Sequence, residues 1–474
     1  MSEKKSFYIT TTLPYVNADP HIGFALEVLQ ADVLARNWRS AGHEVFFNTG
    51  TDEHGQKVFE SAEREGRNVQ EYTDHFAHEF EKLRDALSLS YDAFIRTTSE
   101  GHIQAAQEMW RRCEKDIYKK EFEGLYCVGC ERYLTQKDLT GGKCSIHQTE
   151  PKLLKEENWF FNFKKYEKPL LEYLENPNVI VPDWRKEEAI NFVKEGLEDF
   201  SISRDKSRLS WGVPVPGDET QVMYVWFDAL TNYISTLGWP QEDGNFDKFW
   251  TQGHTVQMAG KDQIRFQSLM WQAMLMSARV KNTDQVFYHG FVISGDQKMS
   301  KSLGNVISPY DLVEKYGTDA TRYLVLRHFH PTEDTDVTWE KLDEWYTAHL
   351  ANGLGNLVSR IMKMAVDNLP NPVDVAGKMI NLSVAEALDR FDFQKASDSI
   401  WREVGELDSY IQTEKPFQTI KEDVEVGREQ IQFLVGKLAG IAVSLAPIMP
   451  TTSEQILTSI KNNEKPQNLF PRLN

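Results

Sequence analysis

Cysteine is scarce in this chain, with four residues in 474. That is too few for a fold stapled by disulfides. No apolar run reaches the length of a membrane helix, and Lys4 and Lys5 are not followed by the apolar core of a secretory leader. The expected compartment is therefore the cytosol, with no membrane partner. Positive charge is in deficit: 53 Lys and Arg stand against 71 Asp and Glu, a net charge of −18. Such a balance excludes an indiscriminate nucleic-acid binder, so any RNA must meet local basic patches on an acidic body. Internal repeats and low-complexity segments are absent. No Gly-x-Gly-x-x-Gly follows the first predicted strand, which removes the dinucleotide fingerprint. Gly50-x₄-Gly55-Gln56-Lys57 falls short of a P-loop, where Lys directly follows the second Gly.

What is present is concentrated in a few places. Three of the four cysteines form Cys127-x₂-Cys130, then thirteen residues, then Cys144-x₂-His147. Three thiolates and one imidazole at that spacing predict a tetrahedral structural zinc knuckle, one metal per chain, with no open position for water. A disulfide or a redox pair is the competing reading, and three cysteines with a histidine suit neither. Cys113, beside Met109 and Trp110 on a predicted helix, reads as core.

Ser6-Phe7-Tyr8-Ile9-Thr10-Thr11-Thr12 predicts a first strand, being β-branched and aromatic. After a loop with Pro14, Asn17 and Pro20, helical periodicity begins with Leu26, Leu29 and Val33 and stops at Gly42. Glu44 to Thr49 predicts the second strand. Pro20-His21-Ile22-Gly23-Phe24 therefore falls at the strand-to-helix corner of a βαβ unit. Gly23 permits close approach to the backbone, and the helix N-terminus offers N–H groups to phosphate. Far downstream, a predicted strand from Val286 to Ile293 leads into Lys298-Met299-Ser300-Lys301-Ser302. Two ammonium groups and two hydroxyls on a loop suit a polyphosphate whose charge grows during reaction.

Taken together, these two motifs resemble those of class I aminoacyl-tRNA synthetases. The finer text resembles the methionyl-tRNA synthetases: Leu13-Pro14-Tyr15, Gly50-Thr51-Asp52-Glu53-His54-Gly55, Tyr224-Val225-Trp226-Phe227-Asp228-Ala229, Gly260-Lys261-Asp262 and Gly304-Asn305. The relatives for valine, leucine and isoleucine carry a large editing insertion, for which this chain has no room. The resemblance implies a ligase that converts L-methionine and ATP·Mg²⁺ to methionyl-adenylate and then charges tRNA(Met). It assigns phosphate contacts to His21, Gly23, Lys298, Ser300 and Lys301, with His21, Lys298 and Lys301 stabilising transition-state charge. It assigns the methionine pocket to Leu13, Tyr15, Asp52, Trp226, Tyr233 and Gln267, the last standing where the family usually has histidine. Trp226 and Tyr233, seven positions apart, could share a helix face, a spacing that more often marks core packing. Asn356 and Arg360 match anticodon-reading positions, and Phe417 stands where the family has a stacking tryptophan. A synthetase-like tRNA-binding protein that has lost activation is the alternative, motivated by Gln267 and by Phe24, where a second histidine is usual.

The implied architecture is α/β: a Rossmann-like nucleotide-binding catalytic domain with a zinc-bearing inserted module and a C-terminal α-helical bundle. Its expected limits are residues 1–115 for the first half of the catalytic domain and 116–220 for the inserted module. The second half follows at 221–290, the lysine loop and helical junction at 291–345, and the anticodon-binding bundle at 346–474. Helices are predicted from Trp345 through Met364, from Ser383 to Ile411 and from Arg428 to Leu445, with Leu369-Pro370-Asn371-Pro372 as a loop. A monomer is the expected state.

Overall fold

A computed structural model describes residues 4–473, apart from 130, 131, 135, 147, 295, 296 and 299–306; for 132, 137, 297 and 298 it describes the backbone alone. The chain divides into two compact units. One comprises Met1–Pro20, Gly42–Lys82 and Tyr91–Tyr288, and the other His21–Ala41, Leu83–Ser90 and His289–Asn474.

The first unit is built on a six-stranded sheet. Its strands are β1 (Ser6–Thr10), β2 (Glu44–Thr51), β3 (Ala93–Arg96), β4 (Ile180–Val181), β5 (His254–Gly260) and β6 (Gln285–His289), in the order β3-β2-β1-β5-β6-β4. β1 runs parallel to both β2 and β5, β2 to β3, and β6 to β4. Tyr8, Ile9 and Thr10 are buried, as is every residue from Thr255 to Gly260, the near-continuous burial of parallel strands covered on both faces. Gly50 of β2 lies opposite Ile95 of β3, where a Cβ would stand 1.9 Å from the Ile95 carbonyl oxygen. No other residue fits there without opening the strand pair. Cys113 ends the helix Glu100–Cys113 inside the apolar core with Met109 and Trp110, and burial pushes its thiol up to about 12. It is a core residue, as its sequence surroundings suggested.

The inserted segment contributes antiparallel pairs. Ile117–Cys127 pairs with Lys152–Phe161 from Ile117↔Phe161 to Tyr126↔Lys152, and also with Arg132–Leu134. Beyond it, Leu139–Thr140 pairs with Lys143–Cys144.

The second unit opens with the helix α1 (Ile22–Ser40) and continues through Pro309–Tyr316 and Thr318–His328 into a helical region. Helices at Asn356–Asn368 and Val424–Leu445 overlap the segments expected at Trp345–Met364 and Arg428–Leu445, and Pro450–Asn462 is a further helix that the sequence reading did not mark. The single helix expected from Ser383 to Ile411 is instead two, Leu382–Asp389 and Phe393–Glu414. Phe391 between them adopts φ 60°, and the Asp392 side chain accepts from Lys395 N, capping the second helix. Within this unit the fully buried Arg322 donates to the carbonyls of Leu87, Pro447 and Ile448 at 2.9, 2.8 and 2.7 Å and pairs with Asp32 of α1 at 2.7 Å. Asp32 also accepts from Arg36 Nε and from the Ser90 N–H and hydroxyl. One carboxylate and one guanidinium thus fix α1 to the C-terminal helices. Among the described residues no helix is long and apolar enough to cross a membrane.

Candidate active site

The loop after β1 and the end of β2 meet at Tyr15 and Asp52, which form a parallel bridge. Asp52 N donates to Pro14 O at 2.9 Å and Val16 N donates to Asp52 O at 3.3 Å. Asp52 is thereby buried, 2% exposed, directly beside a half-buried aromatic ring. The Tyr15 ring presents its edge to Trp226, with centroids 6.3 Å apart and planes at 80°. Trp226 lies flat on Phe266 at 3.8 Å and 13°. Leu13, half-buried, lies two residues before Tyr15 on the same loop.

Tyr15, Asp52 and Trp226 are therefore brought together from three distant stretches of sequence. Trp226 and Tyr233 do not share a helix: one helix covers Val225–Ala229 and the next Asn232–Ser235. Thr231 N bonds to Asp228 O at the junction, a tight turn that ends the first helix early. Tyr233 is buried with its ring edge on Trp271 at 5.7 Å. Gln267, next to Phe266, is 1% exposed, and its Oε1 has no hydrogen-bond partner among the described residues. Phe266, stacked on Trp226, is the member of this ring cluster that the sequence did not reveal. Its only signal was adjacency to Gln267, because a ring stack between distant segments leaves no local periodicity.

In the second unit, His21 is the N-cap of α1. Its backbone is extended, and its Nδ1 accepts from Gly23 N at 3.1 Å and Phe24 N at 3.3 Å. An Nδ1 used as acceptor leaves the proton of the neutral ring on Nε2, so the exposed imidazole carries an N–H donor. Phe24 is buried, 8% exposed. Lys298 lies on the short strand Gln297–Lys298, its backbone opposite Ile293. Ser300 and Lys301 lie outside the described residues.

A family model described as tRNA synthetases class I (M) matches residues 7–144 and 130–362. The methionine–tRNA ligase of Fusobacterium nucleatum is 38% identical over 96% of this chain and 74% of its own length. That of Rickettsia bellii is 36% identical over 99% of this chain and 95% of its own. The chain belongs to the class I tRNA synthetases, methionine type. The fold agrees. The methionyl-tRNA synthetase of Mycobacterium tuberculosis, solved in complex with methionyl-adenylate, superposes with a TM-score of 0.89 at 33% identity, covering 98% of each chain.

Two further groups of residues were singled out by the sequence of this synthetase. Asn356 and Arg360 lie on the helix Asn356–Asn368, Asn356 exposed and Arg360 ion-paired with Asp408. Phe417, 43% exposed, follows Pro416 on a short helix entered through Lys415 in the left-handed region. In the inserted segment, Cys127 ends one strand and Cys144 ends a hairpin strand. Both are buried, 1% exposed, in one small cluster with Leu134 and Leu139. Cys130 and His147 lie outside the described residues. Two buried thiols gathered by separate strands suit a soft metal ion, so the described members fit a zinc site.

Proposed function

We propose that this synthetase is a methionine–tRNA ligase: a methionine carboxylate oxygen attacks the α-phosphorus of ATP, supplied as its Mg²⁺ complex, and pyrophosphate leaves. A terminal ribose hydroxyl of tRNA(Met) then attacks the carbonyl of the mixed anhydride, forming the ester and releasing AMP. The observation that carries this reading is the convergence of Asp52, Tyr15 and Trp226. A carboxylate kept from water beside aromatic faces suits an ammonium next to a soft thioether. Leu13, Tyr233 and Gln267 would complete the pocket. Such an apolar slot separates ligands differing by one methylene by only about 1–3 kcal/mol, so rejection of homocysteine is expected to be limited.

Charge developing on the phosphates would be met by the Nε2–H of His21, by the N–H groups opening α1, and by Lys298 and Lys301, with Ser300 and Gly23 shaping the approach. No side chain becomes a covalent nucleophile. Asn356 and Arg360 would reach the edge of an unstacked anticodon base, and Phe417 would offer a face for stacking. Cys127, Cys130, Cys144 and His147 would hold one structural zinc, which cross-links the inserted segment and takes no part in the chemistry.

The test is direct charging: labelled methionine, ATP and tRNA(Met) incubated with the protein should yield acid-precipitable methionyl-tRNA that depends on all three. RNA binding without charging would support the inactive alternative instead.

A further inference from the structure

A buried polar chain joins segments that also carry residues of the proposed methionine pocket. Asp228 is fully buried, and each carboxylate oxygen has its own imidazole: His54 Nδ1 at 2.6 Å on Oδ2 and His102 Nε2 at 2.8 Å on Oδ1. His102 Nδ1 continues the chain to the Ser235 hydroxyl at 2.9 Å. His54 and His102 are themselves 4% and 1% exposed, and the Trp211 and His54 rings meet edge to face with centroids 5.5 Å apart. Burial alone would raise the Asp228 pKa, but the two imidazoles outweigh it and hold the carboxyl below the usual range. An ionised carboxylate only accepts, so His54 donates from Nδ1 and His102 from Nε2. His102 Nδ1 is then the ring atom that faces the Ser235 hydroxyl.

Such a trio is an expensive way to fill a core, since an apolar cluster of equal volume packs without desolvating a charge. Its placement gives a reason. His54 stands two residues after Asp52, Asp228 two after Trp226, and Ser235 two after Tyr233. The chain of hydrogen bonds therefore ties together the three backbone segments that carry the proposed ammonium carboxylate and two rings of the pocket. We propose that Asp228, clamped by His54 and His102, is a positioning residue that holds Asp52, Trp226 and Tyr233 in register for methionine. This rests on the methionine-pocket reading above. Asp228 touches no reacting atom. It acts through the residues it aligns, so its loss should weaken methionine more than ATP.

The experiment compares His102→Gln, whose Nε2 retains a donor near the same place, with His102→Leu, which has none, alongside Asp228→Asn. Two readouts are needed: KM for methionine and for ATP in pyrophosphate exchange, and methionine binding followed by tryptophan fluorescence without ATP. His102→Leu and Asp228→Asn should raise methionine KM and Kd roughly tenfold or more while ATP KM stays within about twofold. His102→Gln should recover most of the loss. Equal methionine affinity in the Leu and Gln variants, or equal shifts in both KM values, would overturn the clamp. If Asp228→Asn fails to fold, the His102 pair still decides. Wild-type protein that binds methionine without exchange would sink the ligase reading and leave the clamp to be judged by fluorescence. Wild-type protein that does not bind methionine at all would overturn both.

Discussion

His21 and Gly23 constrain each other at the start of α1: the imidazole Nδ1 accepts the Gly23 N–H at 3.1 Å, and a Cβ on Gly23 would stand 3.0 Å from His21 Nδ1 and Cε1. The histidine is therefore a helix cap as well as a candidate phosphate donor. The two roles separate by substitution. His21→Asn keeps a capping oxygen, so the melting temperature should hold while exchange falls by about 10²–10³. His21→Ala should lose the same rate and also about 1 kcal/mol of stability. Gly23→Ala, which pushes the ring aside, should slow exchange by roughly 10–10² with methionine KM little changed. Full activity in Gly23→Ala would remove the steric argument.

Acid should attack the second unit in two windows. Asp32 is buried, which by itself raises its pKa, but Arg322, Arg36 and Ser90 hold it below the usual range. Its stabilisation is present above the unfolded value of about 3.9 and is lost as pH falls through the folded one. His328, stacked on Trp345 at 4.2 Å, is pushed down to about 3, first by burial and then by Arg327 and His349. It stays neutral in the fold while the unfolded chain takes a proton near about 6.5, so stability falls from about pH 6.5 towards 3. His328→Phe keeps the stack and should flatten the melting-temperature profile between pH 6.5 and 4. Asp32→Asn should cost about 3–5 kcal/mol at pH 7 by stranding Arg322, and flatten the profile below pH 4. Unchanged profiles in both variants would show that other groups govern acid unfolding.

The zinc proposal predicts close to one equivalent of metal in purified protein by elemental analysis. Chelation should disorder the inserted segment, detected as faster proteolysis between residues 117 and 161, with little change at the C-terminal helices. Metal-free protein whose thiols titrate freely under native conditions would end the proposal.

Much of this was legible in the sequence, and the parts that were not have physical reasons. β1 and β2 announce themselves because buried parallel strands are written in β-branched and aromatic residues. His21 was found as part of a corner motif, but its capping bond was not, since the usual cap residues are Ser, Thr, Asp and Asn. The split at Phe391 was hidden because apolar periodicity continues across a three-residue connection. Trp226 on Phe266, Arg322 on Asp32 and His54 on Asp228 join segments far apart in the chain, where no spacing rule operates.

Recognition of RNA should be separable from activation. Arg360→Ala removes a guanidinium that lies on a surface helix and pairs with Asp408. Charging of tRNA(Met) should fall by roughly 10–10² while exchange without tRNA stays within about twofold. Phe417→Trp should charge normally, because both rings can stack on a base. Parallel loss of charging and exchange in Arg360→Ala would indicate a folding defect rather than lost recognition.

The most direct test of the central claim is methionine-dependent exchange of labelled pyrophosphate into ATP, measured on wild-type protein and on Asp52→Asn. Wild type should exchange with methionine and far less with leucine or isoleucine. Asp52→Asn, which removes the carboxylate proposed to hold the substrate ammonium, should raise methionine KM by about 10²-fold with ATP KM nearly unchanged. Absence of exchange in the wild type, or exchange that another amino acid drives as well as methionine does, would contradict the account.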